Sequence, residues 1–432
     1  MSFLSVALLL VTGGGAWAAA PVRVGINFVR YQWGNPGQEP LPVEETSAGI
    51  SKLKVDAMRQ IMRADLVWRD VEPQDGVWTF DRADRVLNDP PAEPVVTLFS
   101  LQYASATPHW VSGRSPFERT VGPAARDYVE TVVRRYAEKV RYWEIGNEMD
   151  HWRIADPGAK RKPGGRQPPH VPSGGFTPEQ QGRFVAEVAA IIRENDSDAV
   201  ILMPGIAGLS PYVLETWLPG FVKGAGVDGF DVVGYHFYGP WSELERRRLA
   251  LGATLKRLGV SDKPVWLTET GSTSDPSLRF RTDYPNSDES QAADVFRRIV
   301  TAWASGDEAA FWHSYLGSPN RPRNRWRGYG LVSPDGQRKR SFATMRLLSD
   351  HLGQFKTVAL VSGLSRGQHG YHFVLENGSH RWVYWGRGTV TAPNSPPAKG
   401  FTAVVAGEGA RHTWRAVPAQ LPLSPVPILL RN

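Results

Sequence analysis

No cysteine occurs in the 432 residues. That excludes disulfides, thiolate metal sites, a cysteine nucleophile and a lipoprotein-type anchor cysteine. The chain must therefore hold together by core burial alone. Long apolar runs are scarce as well. The opening stretch, "MSFLSVALLLVTGGGAWAAA", has an apolar part from Phe3 to Val11, which is short for a membrane span. It reads instead as a secretory signal over 1–20, with Ala16-Trp17-Ala18 or Ala18-Ala19-Ala20 as the cleavage site. Its first residues carry no Lys or Arg, so an uncleaved anchor or a misassigned start stays open. The expectation is an exported protein, periplasmic or extracellular. No HExxH pair is present; His109, His151, His236 and His313 are scattered, and neither a metal nor a cofactor is expected. The one G-x-S-x-G string, Gly363 to Gly367, falls among the short β-like runs past 354 and not between a strand and a helix, so no nucleophile elbow is read, although counting residues does not exclude a Ser-His-Asp triad.

What is present is apolar and aromatic. Hydrophobic residues make up 41% and aromatic residues 11%, ample for a large core. Sixteen Trp is a high count. Tryptophan suits flat apolar faces, including sugar-binding ones, although core filling accounts for most of them. The net charge is +7, but no nucleic-acid-binding motif accompanies it, so nucleic acid is not an expected partner.

Apolar, strand-like runs recur, each followed by a polar loop and a helical pattern. Eight are read: 22–29, 64–71, 94–101, 140–148, 199–208, 230–238, 264–271 and 309–317. They lack alternation, as strands covered on both faces do. Helical patterns fall at 124–139, 177–194, 243–258, 288–304 and 341–352. The second opens on "TPEQ", with Thr177 as N-cap, Pro178 at the first helical position and Gln180 completing a capping box. Alternating strands and helices imply a parallel sheet. Eight units point to a (β/α)8 TIM barrel over 21–354. A doubly wound open sheet is the alternative, but no Gly-rich phosphate loop follows the first run. Past 354 the pattern changes to short strands, with an Asn377-Gly378 hairpin turn. Residues 355–432 read as a small β-sandwich-like domain.

In such a barrel, reactive groups sit where strands end. "VRYWEIGNE" ends on Asn147 and Glu148, and "PVWLTETG" carries Glu269. The sixth run ends in His236 and Tyr238, the second carries Arg69, and the eighth carries Trp312 and His313. Two carboxylates on one barrel rim are what glycoside cleavage needs. One protonates the leaving oxygen, and the other attacks the anomeric carbon or activates water. Their environments must push their pKa values apart.

Here the chain resembles the retaining glycoside hydrolases of clan A. "WEIGNE" and "WLTETG" match that clan's motifs at strands four and seven, in order. Within the clan, "WRDVEPQDGVWTFDRAD" and "YASATPHWVSG" are most similar to family 39, which includes β-xylosidases, α-iduronidases and bacterial exopolysaccharide hydrolases. "NEMD" stands where many relatives have Asn-Glu-Pro, a departure that weakens the finer placement. The resemblance implies Glu148 as acid/base and Glu269 as nucleophile. It implies Asn147 on the sugar 2-hydroxyl, and Arg69 and Tyr238 bonded to Glu269. His236 would touch substrate or stand behind it, and Trp312 would floor the sugar subsite.

Several presumed rim loops are basic: residues 151–170, Arg246 to Arg248, Arg279 with Arg281, and Arg321, Arg323, Arg325 and Arg327. Positive charge around a cleft would concentrate an anionic polysaccharide. Solvated surface charge is the plainer alternative. A barrel that binds glycans without cleaving them, and a transglycosylating or trimming enzyme of exopolysaccharide assembly, also stay open.

Overall fold

Eight strands wind in chain order into one parallel sheet: β1 (Val24–Phe28), β2 (Ala57–Gln60), β3 (Glu93–Thr97), β4 (Tyr142–Glu144), β5 (Val200–Leu202), β6 (Val233–Phe237), β7 (Val265–Thr270) and β8 (Ala309–Trp312). The computed structural model describes residues 21–28, 42–60, 66–98, 101, 107–111, 122–151, 177–278, 285–317, 328–405 and 413–432. Pairing runs from β5 through β1 and β8 to β6. The seam between β5 and β6 is closed by Met203 N–H to Val232 O at 3.0 Å and Ile206 N–H to Gly234 O at 3.1 Å. The sheet is therefore a barrel, as its unalternated apolar strands require.

Helices follow the strands: α1 (Val43–Leu53), α2 (Trp68–Val71), α3 (Asp81–Leu87), α4 (Pro123–Tyr136), α5 (Pro178–Asn195), α6 (Leu218–Ala225), α7 (Leu244–Arg257), α8 (Asp288–Ala304) and α9 (Arg340–Leu352). The capping box at Thr177 and Gln180 forms in both directions. The second strand is a correction. The run 64–71 contributes the short helix α2, and the strand is Ala57–Gln60. Its sequence, "AMRQ", carries a charge where a buried strand is expected to be apolar.

The barrel interior is layered. At the end where the strands begin, Ala57, Val95, Tyr142, Leu202, Trp266 and Phe311 form an apolar plug. A Cβ on Gly25 would lie 2.1 Å from the Phe311 ring, so β1 has room there only for glycine. Two residues further along, the inward positions turn polar. Asn27, Arg59, Thr97, Glu144 and Thr268 are all buried. This polar layer is the platform of the site.

After α9 a five-stranded antiparallel sheet follows, in the order β13 (Gly400–Ala403), β15 (Ile428–Arg431), β11 (His380–Trp385), β10 (His369–Leu375), β9 (Phe355–Leu360). One face packs on the barrel through Trp303 against Phe355 and Phe373. The other face is covered by the pair β12 (Gly388–Thr391) and β14 (Gln420–Leu423), with Trp382, Tyr384 and Leu421 between them. The hairpin between β10 and β11 turns at Gly378, with φ at 77°.

Candidate active site

Arg59, on β2, is the centre of the polar layer and has no exposed surface. Its Nε donates to Glu144 Oε2 at 2.7 Å, and its Nη2 to Glu144 Oε1 at 2.9 Å and Asn147 Oδ1 at 2.7 Å. Its Nη1 donates to Asn27 Oδ1 at 3.1 Å and Glu269 Oε1 at 2.8 Å. Every N–H of the guanidinium is thus engaged, in the planar fork that suits arginine to carboxylates. Thr97 and the Gly205 N–H complete the shell of Glu144, at 2.6 and 3.2 Å.

Glu269 reaches the cleft because β7 breaks register. Thr268 faces the interior beside Gly205 and Gly234, whereas Thr270 faces outward to Arg298 of α8. Strict alternation would leave Glu269 pointing out. The register shifts between Leu267 and Thr270, and again at His236 on β6, so that His236 pairs with Glu269 and both turn inward. Irregularities of this kind re-aim side chains next to active sites. Tyr238 O–H donates to Glu269 Oε2 at 2.6 Å, and His313 Nδ1 lies 3.7 Å from the same oxygen. Burial pushes the Glu269 carboxyl up, but His236, His313, Arg59 and the Tyr238 hydrogen bond outweigh it and hold it at about 2. Glu269 is a stable anion.

Glu148 is placed differently. Its φ is +51°, the left-handed region that non-glycine residues seldom occupy. The conformation is held by Glu148 N–H to Gly205 O at 2.9 Å and by the bridge between Asn147 and Gly205. Left-handed backbone at a non-glycine residue costs about 1 kcal/mol or more, and such residues cluster where function fixes them. Its side chain keeps 29% exposure, against 6% for Glu269. His236 stands between the two carboxylates. Its Nδ1 lies 2.9 Å from Glu148 Oε1, and its Nε2 lies 3.5 Å from Glu269 Oε1. Burial pulls the His236 pKa down, but Glu269 and the bond to Glu148 raise it overall.

One oxygen of Glu148, one of Glu269 and a ring nitrogen of His236 lie within 4.8 Å of one another. A cation could span that distance, but the donors are unsuited to it. Arg59 already sits on Glu269 Oε1, and His236 is biased toward its own charged form.

Of the residues expected from sequence, Glu148, Glu269, Asn147, His236 and Tyr238 come together. His236 has no exposed surface and touches the carboxylates rather than an open cleft. Arg69 is corrected: it lies on α2, and its Nε pairs with Asp70 at 3.3 Å. The guanidinium on Glu269 belongs to Arg59. Both errors have one source, the misplaced second strand. Trp312 is also corrected. A stacking floor needs an open face, yet this ring is fully buried, with its N–H donating to Tyr329 O at 3.3 Å. Arg246 to Arg248 sit on α7 rather than in a rim loop; Arg246 and Arg247 pair with Glu243, and Arg248 with Asp307. Residues 152–176, Arg279, Arg281 and Arg321 to Arg327 lie outside the described residues. Sequence reasoning missed Arg59, Glu144 and Asn27. The available signal was a lone charge in the short run "AMRQ".

Comparison with known proteins agrees with the resemblance. The family model for glycosyl hydrolase family 10 matches residues 49–162, a stretch that contains Glu148 but ends before Glu269. A family 39 glycoside hydrolase from Bacteroides cellulosilyticus superposes with a TM-score of 0.66 at 16% identity, covering 95% of this chain and 81% of that one. A family 39 β-xylosidase from Caulobacter crescentus gives 0.61 at 16% identity, covering 96% and 98%. An α-L-arabinofuranosidase from Thermotoga maritima gives 0.58 at 13% identity, covering 95% and 97%. What these likenesses establish is a shared fold, barrel and appended β-sheet together. Among the described residues, no helix is long and apolar enough to cross a membrane.

Proposed function

We propose that the chain is a retaining glycoside hydrolase. The observation that carries the reading is the spacing of Glu148 and Glu269, with an oxygen of each within 4.8 Å of the other. Retaining enzymes hold their carboxyl groups roughly 5–5.5 Å apart, and inverting enzymes leave about 6.5–9.5 Å for a water.

The roles follow from the environments. Glu269, anionic and aimed by Arg59 and Tyr238, attacks the anomeric carbon and forms a covalent glycosyl ester. Glu148, half-buried at the cleft, first donates a proton to the leaving oxygen and then takes one from the incoming water. Asn147, with its amide oxygen turned to Arg59, presents its nitrogen to the sugar 2-hydroxyl. His236 orients both carboxylates from behind. The test is a hydrolysis screen over a glycan array, with Glu269→Gln beside the native protein. Loss of the nucleophile lowers turnover by about a thousandfold or more; equal activity of the two would refute the assignment.

An anionic polysaccharide is the finer reading. It rests on the sequence of the basic segments, in which Arg321, Arg323, Arg325 and Arg327 fall within seven residues. Hydrolysis should then fall steeply as salt is added; activity confined to neutral xylo- or gluco-oligosaccharides contradicts it. Residues 1–20 support export, which cell fractionation tests directly.

A further inference from the structure

The two oxygens of Glu148 meet two different histidines. His236, which has no exposed surface, stands behind the carboxyl with its Nδ1 2.9 Å from Oε1. His151 stands on the open side. Its Nδ1 lies 3.6 Å from Oε2, and its side chain is 56% exposed. That separation is too long for a hydrogen bond, so Oε2 stays available to a substrate. The backbone under His151 is nonetheless fixed. His151 closes the 3-10 turn Met149–His151, where its N–H donates to Glu148 O at 3.1 Å. Asp150 Oδ1 accepts from Ala207 N–H at 2.9 Å, and Met149 O accepts from Gln181 Nε2 at 3.3 Å. The turn is thus tied to the loop after β5 and to α5, which holds the imidazole at a set place beside Glu148.

We propose that His151 binds the sugar on the leaving side of the cleaved bond, through a hydroxyl next to the glycosidic oxygen. The proposal rests on Glu148 being the acid/base and adds to that reading a residue that selects the leaving group. Proton transfer requires the glycosidic oxygen to come within hydrogen-bond reach of a Glu148 oxygen. With Oε1 held against His236, that oxygen is Oε2. The leaving sugar is bonded to the atom that meets Oε2, so its nearest hydroxyls arrive where the His151 ring stands. A neutral imidazole carries one N–H donor and one acceptor nitrogen, and takes a sugar hydroxyl in either sense. Its exposure leaves the ring an open edge for that contact, which the buried ring of His236 lacks. A leaving group without hydroxyls gains nothing there.

The experiment measures kcat/KM of the full chain on two substrates of the best-hydrolysed sugar. One is its glycosyl fluoride, which has no leaving sugar, and the other is the shortest oligosaccharide that the native protein cleaves. One hydrogen bond is at stake, so in His151→Ala the ratio of kcat/KM on the oligosaccharide to that on the fluoride should fall about tenfold. His151→Phe, which keeps a ring but neither nitrogen, should lower the ratio as far. His151→Gln, whose amide donates and accepts, should restore part of it. All three change an exposed side chain, and a variant that does not fold leaves the other two to decide. An unchanged ratio overturns the proposal and leaves the glycosidase reading standing. Equal loss on both substrates overturns it too, because His151 would then act only through Glu148. A native protein that cleaves the fluoride and no oligosaccharide also contradicts it. If neither substrate is cleaved, the glycosidase reading fails, and the leaving-side contact with it.

Discussion

Arg59 commits all its N–H groups to Asn27, Glu144, Asn147 and Glu269. Removing it orphans two buried carboxylates at once, and breaking a buried pair costs about 3–5 kcal/mol. Lysine keeps the charge but not the fork. Arg59→Lys should therefore lower kcat/KM on an aryl glycoside by about a hundredfold and lower urea stability by a few kcal/mol. Arg69→Lys, whose carboxylate partner Asp70 is exposed, should change kcat/KM by less than about threefold. Reversal of that order would displace Arg59 from the nucleophile. Glu269 also links the site to stability. Its folded pKa of about 2 lies below its ordinary value of 4.5, so it stabilises the fold above pH 4.5 and loses that contribution as pH falls toward 2. The difference is about 3 kcal/mol. Glu269→Gln should flatten the stability profile between those two pH values, measured by denaturant titration; an unchanged slope would mean that Glu269 is not held as an anion.

At the scale of elements, α4, α5, α7, α8 and α9 were legible, whereas α1, α2, α3, α6 and the second strand were not. "TPEQ" announces α5 because capping is local chemistry, and the structure forms it as read. β2 resisted because its inward residue is an arginine whose partners come from β1, β4, β7 and the segment after β4, all remote in sequence. The neighbouring "ADLVWRDV" is more apolar, and an apolar run of that length does not distinguish a strand from a short helix. The inward turn of Glu269 was equally hidden, since alternation from Trp266 and Thr268 points it outward until the break in register is seen. Close packing of α5 on α6 gives a test at this scale. A Cβ on Gly182 would lie 2.1 Å from Phe221 O, and one on Gly224 would lie 1.9 Å from Glu179 O. Gly→Ala inside an exposed helix stabilises by about 1 kcal/mol. Here the sign inverts, and Gly182→Ala should destabilise by about 1–3 kcal/mol through overpacking. A thermal melt decides it, and a raised Tm would show that the helices can separate freely.

Over the whole molecule, barrel and β-sheet are joined by real packing rather than a tether. Trp303 meets Phe355 and Phe373, Trp241 meets Trp385, and Thr344 Oγ1 donates to Val404 O. The barrel was legible from its recurring apolar runs, and the paired carboxylates from where two of those runs end. The sugar was not legible. Chains sharing this fold include a β-xylosidase and an α-L-arabinofuranosidase. The basic segments of the sequence carry charge but no periodicity that would name a substrate. The central claim, attack by Glu269 with Glu148 as acid/base, is tested most directly by the anomer first released from a hydrolysed glycoside, followed by 1H NMR before mutarotation. Double displacement predicts the configuration of the substrate, retained; the opposite anomer as first product would contradict the account.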